Sequence, residues 1–354
     1  MLDVPTLRKD TDGLQFQDVQ MRALRLLRYG DPQKVLRIEE LPEPLPGPED
    51  VQIAVHAVGL NPIDYKLAQG QLRIVQSLRL PTTLGFDLSG VVTAVGARVR
   101  GFAVGEPVYG RASRQRLGAF AETAVLDQRW VAPAPVGLSY LEAASIPLVA
   151  LTTLQGLTDR AQARAGQSIL ILAGSGGVGS FAIQYARSLG LDITATTSSR
   201  NADFVRALGA HHVLCYDRQT VGADGRRYDL IYDTLGGKQT LAAFGWLKPG
   251  GCVVSIAGPP DADFGRATGA GLFKRVLFHF AGAGVRARAR AGGFRYFRFM
   301  TESDGARLKA LNALLEAGAI RPVIDREFPF DRILDAFAWF MQGRARGKVV
   351  VRVR

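Results

Sequence analysis

Cysteine, histidine and lysine are all scarce in this chain of 354 residues. Two cysteines, Cys215 and Cys252, cannot build a disulfide framework, so a reducing compartment is expected, the cytoplasm by default. The four histidines, His56, His211, His212 and His279, show no ligand spacing, and on a strand the adjacent His211 and His212 would point to opposite faces. A catalytic zinc needs about three protein ligands of N, S or O type and a structural zinc about four, mostly cysteines. No metal is therefore expected. No apolar run reaches the roughly 18 residues that a membrane span requires. Val276–Val285 comes nearest and is interrupted by His279 and by glycines. The first 20 residues hold Asp3, Asp10, Asp12 and Asp18 without an apolar stretch, so they do not read as a secretory signal.

The scarcity of lysine colours the charge. Eight lysines stand against 36 arginines, and the net charge is +12. Such an imbalance reads as a coding bias more than as a designed basic surface. Part of the excess is local: Pro260–Met300 carries Arg266, Lys274, Arg275, Arg286, Arg288, Arg290, Arg295 and Arg298 against Asp261 and Asp263. This stripe could meet RNA, an acidic lipid surface or a partner, or form a solvated helix face on an inserted segment. No nucleic-acid partner is expected.

What the chain does have is a glycine loop at its middle. Gly174, Gly176 and Gly179 give the spacing G-x-G-x-x-G between a predicted strand, Ser168–Ala173, and a predicted helix, Val178–Leu189. Ser175, Gly177 and Val178 fill the loop. The first glycine is expected to allow the tight turn, the second to let the backbone approach a pyrophosphate, and the third to let helix and strand pack closely. A βα turn without ligand shares the pattern, but the flanking strand, helix and following β-unit favour a dinucleotide. About 20 residues on, an acid would mark an NAD site. The second predicted strand, Asp192–Thr196, ends instead in Thr197, Ser198, Ser199 and Arg200. Hydroxyls followed by a guanidinium suit a 2′-phosphate, because Arg forks onto phosphate oxygens and keeps its charge. Arg200 could also simply start the next helix and face water. NADP(H) is the expected cofactor.

Around this loop the rhythm changes once. Residues 1–20 are polar and aperiodic, and read as a mobile extension. From Met21 to about Ile146 come short β-runs split by Gly and Pro: Val35–Leu41, Val51–Val58, Gly90–Val95, Pro107–Tyr109 and Glu122–Leu126. Pro42–Pro48 reads as a linker stiffened by its prolines. From Pro147 strands alternate with helices, at Ser168–Ala173, Asp192–Thr196, His212–Tyr216, Tyr228–Asp233, Gly251–Ala257 and near Phe294–Phe299. That alternation implies a doubly wound parallel sheet. A helix at Asp304–Ala317 and a strand-like run at Gly347–Val353 follow, and pattern alone leaves open which domain takes that last strand.

These blocks together resemble the medium-chain dehydrogenase/reductase superfamily, in its zinc-free quinone oxidoreductase and alkenal/one reductase branch. The resemblance rests on Gly59–Lys66, Leu84–Gly90, Gly105–Gly110, Ala173–Ser180, Leu208–Ala210 with Tyr216, Asp233–Gly237 and Gly343–Val350. It implies an α/β chain with a GroES-like β-barrel catalytic domain at 21–146 and 318–354. It also implies a Rossmann NADP-binding domain at 147–317, with the final strand returning to the first domain. In zinc alcohol dehydrogenases of the superfamily a cysteine stands at the place of Asn61 and a histidine at that of Phe86, so neither ligand is present.

The resemblance further implies site residues. Asn61 stands where the family places an amide near the nicotinamide ribose and substrate, and Tyr65 or Lys66 could donate to a developing enolate oxygen. Asp64 is expected to cap the turn. Thr152 matches a threonine near the nicotinamide, and Tyr216 a tyrosine beside the adenosine phosphate. Ala257 and Gly258, in the run Ser255–Gly258, should pass near the carboxamide. Each has a plain structural alternative as a cap, core or surface residue. The expected activity is NADPH-dependent hydride transfer to an activated C=C bond or a quinone, whose conjugation spreads the arriving charge without a metal. The expected substrate is a small hydrophobic unsaturated carbonyl or quinone, and a homodimer stays open. Two alternatives remain: a metal-free NADP-dependent alcohol or aldehyde oxidoreductase, and a low-turnover NADPH-binding protein acting through RNA or a partner.

Overall fold

Valine-rich runs with few glycines build the strands, and the computed structural model, which describes residues 8–9 and 15–354, divides them between two units. The first comprises Met1–Leu148, Glu302–Gly318 and Pro322–Arg354; the second comprises Val149–Thr301 and Ala319–Arg321.

In the first unit the strand Asp50–Gly59 is central, with Val51, Ile53, Val55 and Val58 all buried. It pairs antiparallel with Asp87–Val95, with Thr123–Asp127 and with the C-terminal strand Lys348–Arg352. The sheet runs Ile324–Pro329, Lys348–Arg352, Asp50–Gly59, Asp87–Val95, Pro107–Arg111 and Val131–Pro133, with Thr123–Asp127 branching from its centre. The last strand therefore belongs to this unit, with Val351 opposite Val58. A second sheet joins Gln15–Leu26 to Leu36–Leu45, Arg8–Lys9 and Thr82–Thr83. Between them lies an apolar core that includes Leu24, Leu36, Ile53, Val92, Phe120 and Phe337.

Three expectations need correction here. Residues 15–20, assigned to a mobile extension, are the first half of the strand Gln15–Leu26; residues 1–7 and 10–14 lie outside the described residues. Pro42 and Pro44, read as linker, lie in the strand Leu36–Leu45, opposite Gln20 and Phe16. Residues 302–317, assigned to the cofactor domain, sit in the first unit. The reason is polar: Tyr109 Oη donates to Leu308 O and Asn312 Oδ1 at 2.9 and 2.8 Å, and Asn312 Nδ2 donates to Pro133 O.

The second unit is a six-stranded, wholly parallel sheet. Its spatial order is His212–Cys215, Asp192–Thr197, Ser168–Ile171, Tyr228–Asp233, Leu247–Ser255 and Arg295–Arg298. In chain order this is 3-2-1-4-5-6, the doubly wound dinucleotide-binding arrangement. The inner strands are continuous apolar runs, as burial on both faces requires: Ile169, Leu170 and Ile171 are fully buried. Ends differ from expectation by a few residues, the first strand stopping at Ile171 and its helix spanning Gly177–Ser188.

Close packing in the first unit makes a direct test. A Cβ on Gly90 would stand 2.0 Å from the Ala54 carbonyl oxygen, whereas one on Gly245 meets nothing within 4 Å. Gly90→Ala is expected to cost about 1–3 kcal/mol in urea unfolding, and Gly245→Ala less than about 0.5 kcal/mol.

Candidate functional site

In the second unit the glycine loop leaves the first strand at its carboxyl end. The turn is made by Ala173, at φ 56°, and not by Gly174, which does not adopt a positive φ. This corrects the expected role of the first glycine. A Cβ on Gly174 would stand 2.9 Å from Ala195 Cβ, so the residue is small because the neighbouring strand is close. A Cβ on Gly179 would lie 2.2 Å from Ala173 O, which is the helix–strand packing expected of the third glycine. Gly176 differs. Its Cβ would meet only Ala173 O at 3.6 Å, an ordinary contact. The protein's own packing explains two glycines; the third, the N-cap of the helix Gly177–Ser188, leaves open the space over which a diphosphate would lie. Ser175 Oγ accepts from Asn201 Nδ2 at 3.2 Å, and Gly177 and Val178 form the first helical turn.

The tip of the second strand carries hydroxyls and a guanidinium. Thr196 Oγ accepts from Ala173 N at 3.0 Å, locking strand to loop. Ser198 precedes a short turn, Ser199–Asn201, in which Arg200 is exposed. Among the described residues, Thr197 Oγ and Asn201 Oδ1 are buried without a hydrogen-bond partner. Tyr216 is exposed just past the third strand, His212–Cys215. Beside it, unforeseen, Asp217 accepts from Ser199 N and Oγ at 2.9 and 2.6 Å; these hydrogen bonds hold its carboxyl below the usual range.

The ends of the fourth and fifth strands are organised by one buried carboxylate. Asp233 Oδ1 accepts from Leu235 N and Gly236 N, and Oδ2 accepts from Thr240 Oγ and Ser255 Oγ. Ser255 Oγ in turn accepts from Gly258 N at 2.7 Å and Ala257 N at 3.3 Å. Arg298 Nε donates to Gly258 O at 3.0 Å, so Ala257 and Gly258 are pinned from two sides. Thr152 Oγ is paired with Thr301 Oγ at 2.7 Å.

In the first unit Asn61 opens the helix Pro62–Ala68 and is buried. Its Nδ2 donates to Asp87 Oδ2 at 2.9 Å and Gly59 O at 3.2 Å, and its Oδ1 accepts from Lys348 Nζ. Lys348 Nζ also donates to Leu60 O at 2.9 Å and Asp87 Oδ2 at 3.2 Å, and Asp87 Oδ1 accepts from Leu148 N. Both ends of the Asn61 amide are thus engaged within the unit, which makes Asn61 a positioning residue. Asp64 caps the turn as expected, accepting from Asn61 N at 2.7 Å. The Tyr65 ring packs against the apolar core, edge-on to Phe340 at 6.1 Å, and burial raises its pKa. Lys66 follows, half-buried. Phe86 lies under the Arg111 guanidinium, 4.6 Å from its ring centre. Among the described residues no group of three or more His, Cys, Asp or Glu is placed to hold a metal.

Comparison with known proteins places this arrangement. Residues 47–136 match the alcohol dehydrogenase GroES-like domain, and residues 208–351 a zinc-binding dehydrogenase domain. The chain is 34% identical to a 2-methylene-furan-3-one reductase of Solanum lycopersicum, over 86% of this chain and 71% of the relative. It is 33% identical to a chloroplastic NADPH-dependent alkenal/one oxidoreductase of Arabidopsis thaliana, over 86% and 72%. A quinone oxidoreductase structure from Coxiella burnetii superposes with a TM-score of 0.81 at 30% identity, covering 95% of this chain and all of that one. The chain belongs to the medium-chain dehydrogenase/reductase superfamily, in its quinone oxidoreductase and alkenal/one reductase branch. Within that superfamily its first unit is the GroES-like domain and its second the Rossmann domain. The second domain model carries zinc in its name, yet here Asn61 is bound to Asp87 and Lys348, and Phe86 to Arg111.

Sequence reasoning missed Asp87, Lys348, Arg111, Asp217, Asp233 and Arg298 as organisers. A signal existed for three: Asp87, Asp233 and Lys348 are charged residues at the ends of apolar strand runs, inside blocks already shared with the family. The buried cluster has a pH consequence. Burial raises the Asp64 carboxyl to about 8, against the lowering effect of the Asn61 N–H. A carboxyl whose folded pKa lies above its unfolded value favours the folded state at low pH and loses that stability as pH rises through the folded pKa. Between pH 5 and 8 the urea midpoint is expected to fall. Asp64→Asn, which keeps an acceptor for Asn61 N, should flatten that slope in the same titration.

Proposed function

We propose that the chain is an NADPH-dependent, zinc-independent oxidoreductase that reduces enals, enones or quinones by hydride transfer. The observation that carries the reading is the open space over Gly176, set in a 3-2-1-4-5-6 sheet whose second strand ends in Ser198 and Arg200. A relative named for NADPH and for alkenals and enones, and another named for a furanone with an exocyclic double bond, support the same substrate class. Gly174 to Gly179 would hold the diphosphate, Ser198 and Arg200 the 2′-phosphate, and Tyr216 would stand beside the adenosine phosphate. Thr152, Ala257 and Gly258 would border the nicotinamide. When bound, NADPH supplies the hydride, which adds to the conjugated carbon of the substrate.

The chain's own residues then have two tasks, positioning and polarisation. Lys66 Nζ is assigned as hydrogen-bond donor to the substrate oxygen on which enolate or quinol charge develops. Asn61 holds the helix that carries it, and Tyr65, packed on the core, supports that helix. A reducing compartment such as the cytoplasm is supported by the free thiols of Cys215 and Cys252. No helix among the described residues is long and apolar enough to cross a membrane.

The test is loss of NADPH absorbance across a panel of enals, enones, quinones and saturated aldehydes, with metal analysis on the same sample. Turnover of enones but not of the matching saturated aldehydes is expected. Activity confined to aldehydes, or required zinc, overturns the reading. Arg200→Ala should raise the NADPH KM by about tenfold, the worth of one charge-assisted hydrogen bond, and leave the NADH KM little changed. Lys66→Met should lower kcat by about 10–100-fold with an unchanged NADPH Kd, as loss of a polarising donor does.

A further inference from the structure

Between the fifth and sixth strands the second unit carries three helices, Ala262–Ala267, Leu272–Ala281 and Ala283–Ala291. The middle one inverts the usual pattern. Leu272, Phe273, Val276, Leu277 and Phe280 are 74%, 82%, 48%, 45% and 71% exposed. At about 100° per residue they cover an arc of about 140°. The buried side chain of this helix, Phe278, packs on Phe264 from the opposite side. The apolar stripe thus faces outward, where burial in its own core cannot satisfy it.

Exposed cations accompany the stripe. Lys274 stands beside it and is exposed, and the next helix exposes Arg288 and Arg290. None of these three has an ion pair among the described residues. An exposed Leu/Phe face bordered by unpaired cations is the signature of a helix lying in a lipid–water interface. A second copy of the chain would oppose like charges across the stripe, which is unfavourable. RNA would satisfy the arginines and leave Leu272, Val276 and Leu277 in water.

We propose that the helix Leu272–Ala281, with Arg288 and Arg290, docks the chain on an anionic bilayer surface, its five apolar side chains entering the acyl boundary and its cations meeting lipid phosphates. Docking is peripheral and independent of the reductase activity. The test is co-sedimentation of the full chain with vesicles of phosphatidylcholine alone and of equal parts phosphatidylcholine and phosphatidylglycerol. Binding to the anionic vesicles only is expected. Phe273→Ser with Phe280→Ser should weaken it by about tenfold or more, and Lys274→Gln with Arg288→Gln and Arg290→Gln by about 100-fold, since each cation near such a surface contributes about fivefold. All substituted side chains are exposed, so unchanged circular dichroism checks the fold. Failure to bind anionic vesicles overturns the proposal, as does equal binding by the serine variant. Loss of a dimer in the serine variant, seen by light scattering without vesicles, assigns the stripe to a subunit interface instead. Salt-sensitive RNA binding that the serine variant retains, without vesicle binding, assigns the cations to nucleic acid.

Discussion

The buried ammonium of Lys348 is the contact on which the catalytic domain's geometry turns. Removing such a charge from water costs several kcal/mol, about, unless its donors are all met. Here three N–H groups find three acceptors: Leu60 O, Asn61 Oδ1 and Asp87 Oδ2. Those acceptors belong to the turn before the helix Pro62–Ala68 and to the strand Asp87–Val95, while Lys348 opens the C-terminal strand. The helix bearing Tyr65 and Lys66 is therefore placed by the far end of the chain. Desolvation lowers the Lys348 pKa and raises that of the Asp87 carboxyl, and the charge of each partner opposes the shift of the other. Loss of either would leave an uncompensated charge in the core, which is why these two residues matter to a helix neither belongs to.

Local pattern carried much of the second unit and less of the first. A parallel strand buried on both faces, such as Ser168–Ile171, reads as an unbroken apolar run, and the glycines after it mark its end. Strands of the first unit were harder. Leu36–Leu45 contains Pro42 and Pro44, which pattern takes for a linker, because an edge position that tolerates missing N–H groups is a property of the assembled sheet. The helix Gly305–Glu316 was legible as a helix, but its domain was not. That depends on Tyr109, some 200 residues earlier, reaching Leu308 and Asn312.

The glycine loop shows the same limit on a smaller scale. Spacing marks three glycines as equivalent, whereas the structure gives them different reasons. Gly174 and Gly179 are fixed by the approach of Ala195 and Ala173, and would be needed by any tightly packed βα unit. Of the three, only Gly176 has no neighbour close enough to forbid a Cβ, so only that glycine argues for a ligand. The turn itself is made by Ala173 in the left-handed region, which for a residue with a β-carbon costs about 1–2 kcal/mol. Local strain held by the Ala173 N–H bond to Thr196 Oγ is common where backbone must be aimed at a bound group.

Each unit places one fully buried carboxylate at the strand ends where its functional loops begin. Asp87 accepts from Asn61, Lys348 and Leu148 N; Asp233 accepts from Leu235 N, Gly236 N, Thr240 and Ser255. A carboxylate offers two acceptor oxygens with about four lone-pair sites, so one side chain can gather donors from several loops at once. An amide could not replace it without turning one acceptor into a donor. The cost of burying the charge is offset by these hydrogen bonds, and what results is a loop held from within the fold. Residues expected to touch cofactor or substrate, Lys66 in one unit and Gly258 in the other, are therefore carried by backbone held by buried groups of their own unit.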